Sequence, residues 1–334
     1  METLGRVYNK IGKKMILNKP CSAIIFPGQG SQYVGMGIAL ADKYDVAKKV
    51  FDEVDEALGQ HLFKIMQDGP ESELRLTSNA QPALMAVSLA VVRVIEKISN
   101  QNVEKMASFL AGHSLGEYSA LTAAGSFNIS DAAKLLKLRG DSMQNAVPVG
   151  TGGMAALLGA ELEVAKEIAA IASEKGVCDI ANDNAPGQIV LSGDLKTVEQ
   201  SIEIAKEKGI RRAVLLPVSA PFHCSLMEPA AEKMLEALNS IKILPPKVPI
   251  VTNVSATKIS GDPDDIRRSL VQQVTGMVRW RESIQWMIKN GITSFVEVGA
   301  GKVLTGLNKR IDKDVQSISV ESPDAIEEFL KDLG

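Results

Sequence analysis

The chain has 334 residues, and its 45% hydrophobic and 23% charged content is that of an ordinary soluble globular protein. A formal net charge of −3 argues against a nucleic-acid-binding protein, and no apolar run approaches the ~18 residues that a membrane span needs. The cysteines Cys21, Cys178 and Cys224 lie too far apart for a disulfide framework or a Cys-x-x-Cys site, which predicts a reducing, cytoplasmic compartment.

Residues 1–20 carry five basic side chains against a single acid, Glu2. The stretch has no serine and no long apolar core, so it is a poor signal peptide and a weak transit peptide. We therefore expect a disordered extension ahead of the folded part of the chain.

The first predicted strand, 22–26, leads into the glycine-rich loop 27–32. A strand followed by Gly-x-Gly can begin a dinucleotide-binding unit, but Tyr33 stands where a third glycine would be, and no acidic residue closes a second strand. We therefore reject that function. Such a loop can instead present backbone N–H groups, such as that of Gln29, at the carboxyl edge of a sheet.

A helix is predicted over 80–98, and the next apolar run stops at Gly112-His113-Ser114-Leu115-Gly116. A Gly-x-Ser-x-Gly sequence between a strand and a helix is a nucleophile elbow. The glycines leave room for the tight turn, and the helix 117–124 aims its free N–H groups at the serine. The sequence therefore predicts a serine nucleophile, and the N–H of Leu115 can stabilise an oxyanion.

A second helix, 132–145, is predicted with Ser130 and Asp131 as its cap. It carries Arg139, which the pattern alone treats as a solvated charge. Residues 150–153 then read as a glycine hinge, and 150–216 follow the order β-α-β-β-α-β, which is ferredoxin-like. Its elements are predicted at 154–158, 162–175, 177–182, 188–192, 195–208 and 211–215.

We expect this unit to be inserted into a larger α/β catalytic subdomain made of 21–149 and 217–334, with a cleft between the two. The larger subdomain is predicted to be α/β-hydrolase-like with a parallel sheet. Its later elements are predicted as helices 227–239, 263–274, 283–290 and 303–310, an edge strand within 245–253 and a strand over 294–298.

A serine nucleophile needs a base, and only three histidines can supply one. His61 lies in an amphipathic stretch, and His113 is expected to point away from its neighbour Ser114. His223 follows the inserted unit in a loop held by a proline, so it is the candidate base, although the adjacent Cys224 is a rival nucleophile. Three histidines are too few for a histidine-rich metal centre, and we expect no metal.

Several motifs occur in one order that resembles a known family. They are Phe26-Pro27-Gly28-Gln29-Gly30-Ser31-Gln32, Gly112-His113-Ser114-Leu115-Gly116-Glu117, Arg139-Gly140 with Met143-Gln144, Asn182-Asp183-Asn184-Ala185-Pro186-Gly187-Gln188, Ala220-Pro221-Phe222-His223 and Val278-Arg279-Trp280. Over about residues 22–310 the chain resembles the malonyl-CoA:acyl-carrier-protein transacylases, which share these motifs with acyltransferase domains of polyketide synthases.

The resemblance implies a ping-pong transfer of malonyl from malonyl-CoA to the phosphopantetheine thiol of acyl carrier protein, for fatty-acid synthesis. Ser114 would be acylated, His223 would be the general base, and the N–H groups of Leu115 and Gln29 would form the oxyanion hole. The main-chain carbonyl of Gln273 would orient the histidine. The resemblance also implies no cofactor, and we expect a cytoplasmic monomer that binds neither nucleic acid nor membrane.

The resemblance changes the interpretation of Arg139, because a free acyl carboxylate needs a fixed positive fork. Phe222 resembles the family's malonyl-selecting pattern. The family usually has proline before Val-Arg-Trp, so Met277 is a departure. The carrier is acidic in this pathway, which makes a basic patch near the cleft expected; its candidates are Lys302, Lys309 and Arg310.

Two other functions stay open on the sequence. A serine esterase or thioesterase shares the elbow and the histidine, but it has no use for Arg139 and usually has an acid between serine and histidine. A silent module that only docks the carrier would not need Ser114, His223 and Arg139 to be intact. Incubation with malonyl-CoA distinguishes all three.

Overall fold

The computed structural model describes residues 21–333, so the predicted extension at 1–20 lies outside the described residues. The strands are β1 (Ser22–Phe26), β2 (Phe109–Gly112), β3 (Gly152–Leu158), β4 (Cys178–Ala185), β5 (Gln188–Asp194), β6 (Arg212–Leu215), β7 (Ile250–Val251), β8 (Ser294–Val298) and β9 (Gln316–Val320). The helices are α1 (Ile38–Lys43), α2 (Asp45–Leu58), α3 (Leu62–Asp68), α4 (Glu71–Leu74), α5 (Thr77–Ser99), α6 (Val103–Met106), α7 (Gly116–Ala123), α8 (Ile129–Asn145), α9 (Leu162–Ala172), α10 (Leu195–Glu207), α11 (Glu228–Ser240), α12 (Pro263–Thr275), α13 (Trp280–Lys289), α14 (Val303–Ile311) and α15 (Pro323–Leu333).

The larger sheet is parallel and has the strand order β7-β2-β1-β8-β9. Its central strand β1 is buried along its whole length, and Ile24 pairs with Leu110 on one side and Val296 on the other. Buried parallel strands need apolar residues on both faces, which is why β1 is a continuous apolar run. The loops after β1 and β2 meet at the carboxyl edge, where His113 N donates to Phe26 O at 3.0 Å.

The smaller sheet is antiparallel and has the order β4-β5-β3-β6. Helices α9 and α10 cover one face, and the core there includes Leu157, Ile168 and Leu191. The two connections to the larger part run side by side, because a Cβ added at Gly152 would lie 2.3 Å from Cγ of Pro221. The chain thus leaves and re-enters the larger part at one place.

One predicted helix start is wrong. The second predicted helix is capped by Asn128, whose Oδ1 accepts from Asp131 N at 2.7 Å, so α8 begins at Ile129 and not after Ser130 and Asp131. Asparagine is as good a cap as serine or aspartate, and the first residue of α8, Ile129, is already buried. The helix predicted over 80–98 extends from Thr77 to Ser99, so its ends differ from the predicted ones by a few residues.

The sequence analysis gives no bounds for α1, α2, α3, α4, α6, β9 or α15, which the structure contains, although the stretch around His61 is expected to be helical. The other predicted strands and helices are present with ends that differ by a few residues, and β1 and β8 have the predicted bounds. Among residues 21–333, no helix combines the length and the apolar character that crossing a membrane requires.

Candidate active site

The elbow presents Ser114 on a strained turn between β2 and α7. Ser114 has φ of 54°, a left-handed conformation that is uncommon for a residue with a side chain. A Cβ at Gly112 would lie 1.9 Å from the backbone of Gly116, and a Cβ at Gly116 would lie 2.4 Å from Phe26 O. Both glycines are therefore required by close backbone approach, as the motif predicts.

His223 reaches the serine across the cleft. Its Nε2 lies 2.8 Å from Ser114 Oγ, and its Nδ1 lies 2.8 Å from the main-chain oxygen of Gln273. Because a carbonyl oxygen only accepts, Nδ1 carries the hydrogen and donates it, which leaves Nε2 as the acceptor for the serine hydroxyl. The ring is thus held as the tautomer that a general base needs.

The imidazole of His223 is held in its neutral form. Burial lowers its pKa to about 3, and the positive charge of Arg139 acts in the same direction, while the hydrogen bond to Gln273 opposes them. The ring is therefore free to accept a proton at neutral pH.

Arg139 is buried beside the serine and not solvated, so the interpretation from pattern alone is wrong. Its side chain is 1% exposed. Nη2 donates to Ser114 Oγ at 3.1 Å and to Gln273 Oε1 at 2.9 Å, while Nη1 donates to Gln81 Oε1 at 2.7 Å. The guanidinium carbon also lies 5.7 Å from the centre of the Tyr118 ring. Burial lowers its pKa from the ordinary value, but an arginine stays charged.

Two backbone N–H groups border the serine. Leu115 is fully buried just before α7, and Gln29 lies in the loop after β1; both line the cleft. Within residues 21–333, neither N–H donates a hydrogen bond to another residue. They are therefore available as donors for an anionic oxygen next to Ser114.

The sequence analysis did not identify Glu117, a buried carboxyl group that is linked to Ser114 through hydrogen bonds. Glu117 Oε2 accepts from Gln273 Nε2 and from Asn253 N, both at 2.9 Å. Asn253 Oδ1 in turn accepts from Ser114 N at 2.7 Å. Burial raises the pKa of Glu117 to about 7. Glu117 is the last residue of the motif that begins at Gly112, but no local pattern indicates that its side chain is buried.

The other candidates from the sequence do not reach Ser114. His61 is exposed just before α3, and His113 Nε2 contacts Asn184 Oδ1 at 2.8 Å. The thiol of Cys224 donates to Pro221 O at 3.1 Å, and burial raises its pKa to about 11. Cys224 is therefore a buried thiol and not a rival nucleophile.

A cavity of about 700 Å³ lies between the two sheets and opens onto Ser114, Arg139, His223 and Phe222. A second cavity of about 390 Å³ shares part of this lining. Lys302 and Arg310 line the second cavity, whereas Lys309 is exposed outside it. A cavity of this volume is typical of a ligand-binding pocket.

The loop that carries Met277 keeps its contact with the smaller sheet. Val278 N donates to Ala181 O at 2.8 Å, and Asp183 N donates to Val278 O at 3.0 Å. The departure from the family's usual proline therefore leaves this bridge intact. Among the residues the structure describes, no group of three or more histidine, cysteine, aspartate or glutamate side chains could hold a metal ion.

Comparison with known proteins agrees with this geometry. The acyl transferase domain family matches residues 23–322. The chain is 45% identical over 312 residues to the malonyl CoA-acyl carrier protein transacylase of Bacillus subtilis (strain 168), covering 93% of this chain and 96% of that protein.

Solved structures are similar over the same length. The acyl-carrier-protein-S-malonyltransferase of Bartonella henselae has a TM-score of 0.91 at 54% identity, over 93% of this chain and 98% of that one. A malonyl-transacylase in complex with its type II PKS acyl-carrier protein has a TM-score of 0.89 at 38% identity, over 93% of this chain and 99% of that one.

Proposed function

Because the chain belongs to the acyl transferase domain family, we propose that it transfers malonyl from malonyl-CoA to the phosphopantetheine thiol of acyl carrier protein, through an ester on Ser114. It is an acyltransferase, and its relatives named for malonyl transfer to acyl carrier protein assign it to fatty-acid synthesis. The observation that carries the mechanism is the convergence on Ser114 Oγ of His223 at 2.8 Å and Arg139 at 3.1 Å.

In the first half-reaction, His223 Nε2 takes the proton from Ser114 Oγ as the oxygen attacks the malonyl thioester carbonyl. The N–H groups of Leu115 and Gln29 stabilise the oxyanion that forms, and removing one such donor typically costs ~10²–10³ in rate. The C–S bond then breaks, and the CoA sulfur leaves with the proton from His223. The carbonyl of Gln273 stabilises the intermediate imidazolium through Nδ1–H.

In the second half-reaction, the carrier's thiol gives its proton to His223 Nε2, and its sulfur attacks the ester carbonyl. The bond between that carbon and Ser114 Oγ breaks, and Oγ takes the proton back. The donor, malonyl-CoA, and the product, malonyl carrier protein, are both thioesters of similar reactivity. We therefore propose that the exchange needs no metal and no cofactor. Transfer rather than hydrolysis requires that water be kept from the ester.

Arg139 is proposed to bind the free carboxylate of malonyl. A buried guanidinium next to the acylated serine can offer two parallel N–H donors, which match a carboxylate in shape and charge. A simple esterase has no need of such a group. This contact is what favours malonyl transfer over the hydrolase alternative.

We also propose a finer description of the architecture. Residues 21–149 and 217–334 would form an α/β-hydrolase-like catalytic subdomain, which the parallel sheet and the elbow after β2 support. Residues 150–216 would form an inserted ferredoxin-like subdomain, which the antiparallel order β4-β5-β3-β6 supports.

Lys302, Lys309 and Arg310 are proposed as the basic patch for the carrier, since all three are exposed and two line the second cavity. We keep the proposals that the enzyme acts as a monomer and that it is cytoplasmic. The three free cysteines accord with a reducing compartment.

Incubation with malonyl-CoA alone, followed by intact-protein and peptide mass spectrometry, tests the function. We expect one malonyl group on Ser114 that persists without carrier, and no gain in Ser114→Ala. Continuous release of malonate would instead identify a hydrolase. An unmodified wild-type protein would identify a silent docking module.

A further inference from the structure

A row of hydrogen bonds leads from Arg139 to Gln29 along one wall of the cleft. Arg139 Nη1 donates to Gln81 Oε1 at 2.7 Å, and Gln81 Nε2 donates to Thr77 Oγ1 at 2.9 Å. Thr77 Oγ1 then donates to Gln29 Oε1, also at 2.9 Å. The row therefore joins the guanidinium on α8 to the loop after β1 through the first turns of α5.

The guanidinium fixes the direction of every bond in the row. Arginine can only donate, so Gln81 must turn its carbonyl toward Arg139 and its NH2 group toward Thr77. The other amide hydrogen of Gln81 has Met143 Sδ at 4.0 Å. Thr77 accepts from Gln81, which leaves its one hydroxyl hydrogen for Gln29. The carbonyl end of Gln29 is consequently the end that is anchored.

The row is shielded from water in its middle. Thr77 and Gln81 are each 1% exposed. Losing one partner would leave a buried donor or acceptor unsatisfied, which is more costly than the same loss at a surface. The close approach of the two helices makes the row possible, because Gly140, next to Arg139, has no Cβ to strike Ser78.

Glycines allow the backbone of the loop that carries Gln29 to adopt many conformations. Gln29 lies between Gly28 and Gly30, and Gly30 has φ of 101°. Glycines on both sides allow many backbone conformations, so a side-chain anchor on Gln29 restrains where its N–H points. An oxyanion donor must be placed closely, since a shift of about 1 Å can cost roughly 100-fold in rate.

We propose that Thr77 and Gln81 are positioning residues through which Arg139 holds the Gln29 loop. The group that binds the acyl carboxylate would thereby also set one donor of the oxyanion hole. This inference rests on the proposed acylation of Ser114.

A double-mutant cycle of Thr77→Val and Gln29→Ala tests the inference. Thr77→Val keeps the shape of the side chain and removes only the hydroxyl, and Gln29→Ala keeps the backbone N–H and removes only the anchor. The readout is the single-turnover rate of Ser114 malonylation by malonyl-CoA, together with the melting temperature. Thr77→Ser, which retains the hydroxyl, is the conservative variant.

We expect Thr77→Val and Gln29→Ala each to slow acylation roughly 10-fold, and the double variant to be no slower than Gln29→Ala alone. Thr77→Ser should recover most of the rate. If Thr77→Val does not fold, Gln81→Leu takes its place in the same cycle.

Additive losses in the double variant, or a Thr77→Val rate equal to the wild type, would overturn the inference. If Thr77 had only a structural role, Thr77→Val would lower the melting temperature, and the double variant would acylate more slowly than Gln29→Ala. Failure of the proposed function looks different, because the wild type itself would then show no malonyl on Ser114.

Discussion

At the scale of single residues, the proposed carboxylate contact would give Arg139 a second set of partners. In the described structure its Nη2 donates to Ser114 Oγ and to Gln273 Oε1. When Ser114 carries malonyl, the hydroxyl is gone and the acyl carboxylate becomes the stronger acceptor. A charged partner strengthens the hydrogen bond, so Arg139 should contribute most once the acyl group is bound.

Replacing Arg139 with alanine should lower kcat/KM for malonyl-CoA by roughly 10²–10³-fold, because two charge-assisted hydrogen bonds are each worth about 1.5–3 kcal/mol and part of that is recovered by water. Arg139→Lys is the matched variant that keeps the charge but loses the two parallel N–H donors. Its kcat/KM should lie between that of the wild type and that of Arg139→Ala. Steady-state kinetics measure both. An alanine variant with wild-type kcat/KM would rule out the carboxylate contact.

The pKa of His223 should depend on whether malonyl is bound. In the unliganded chain burial and the charge of Arg139 lower it to about 3, so the base stays neutral until the pH falls toward that value. A carboxylate on Arg139 cancels part of that charge and raises the pKa. The acidic limb of kcat should therefore lie at higher pH than that of kcat/KM, since kcat reports the complex and kcat/KM the free enzyme. His113 also lowers this pKa. Coincident limbs, or a kcat/KM limb near 6.5, would contradict this.

Glu117 should make stability fall as the pH rises. Its pKa is raised from 4.5 to about 7, mainly by burial, so the folded chain keeps a proton that the unfolded chain loses between those values. Glu117→Gln removes this penalty. The melting temperature of the variant relative to the wild type should therefore increase from pH 4.5 to pH 7. Glu163→Gln, at a side chain 78% exposed, is the control for loss of a surface charge. A Glu117→Gln difference that does not change between pH 4.5 and pH 7 would refute the assignment.

At the scale of elements, the contact between α5 and α8 depends on one missing Cβ. A Cβ at Gly140 would lie 2.5 Å from Ser78 Cα, which is backbone and cannot turn aside. Gly140→Ala should therefore lower stability by about 1–3 kcal/mol and disturb Arg139 next to it.

Gly306→Ala, in α14, is the matched control because its Cβ would meet no atom within 4 Å. It should be neutral or stabilising by roughly 0.5–1 kcal/mol. Thermal melting compares them, and equal shifts would be inconsistent with the packing.

Most elements could be predicted from the sequence because their patterns are local. The strands β1 and β8 are short apolar runs, and the elbow is a fixed spacing of glycines. The missed helix α2 did carry a signal, since its buried residues Ala47, Val50, Phe51 and Val54 have helical spacing. The missed strand β9 carried a weaker sequence signal than α2. It borders β8 at the edge of the sheet, and only that pairing identifies it.

At the scale of the whole molecule, an ion pair ties the smaller sheet to the larger part. Arg281 on α13 donates to both carboxylate oxygens of Asp183 on β4, at 2.7 and 3.0 Å. Asp183 is 0% exposed. Burial raises its pKa even with Arg281 beside it. The pair therefore joins the two parts of the chain next to the backbone bridge that Val278 makes with Ala181 and Asp183.

Arg281→Ala should destabilise the chain by roughly 2–4 kcal/mol, because it leaves a buried carboxylate without its partner. Lys166→Ala breaks an exposed pair with Glu163 and should cost at most about 0.5 kcal/mol. Chemical denaturation gives both values. Similar small losses for the two variants would mean that the pair does not stabilise the packing of the smaller sheet on the rest of the chain.

The candidate catalytic residues could be identified from the sequence, but the residues that support them could not. Ser114 and His223 stand in short motifs whose residue types already indicate the chemistry. Gln81, Asn253 and Glu117 act only through contacts between distant elements, such as the bond from Asn253 N to Glu117. A single sequence contains no record of those contacts, and the side chains become informative only once the fold brings them together.

The most direct measurement follows one acyl group through both half-reactions. The wild-type enzyme is loaded with malonyl-CoA, freed of excess CoA, and mixed with carrier protein that bears phosphopantetheine; mass spectrometry then follows both proteins. We expect malonyl to stay on Ser114 until the carrier is added and then to appear on the carrier in equal amount. Malonate released without carrier, or a carrier left unmodified while Ser114 is discharged, would contradict it.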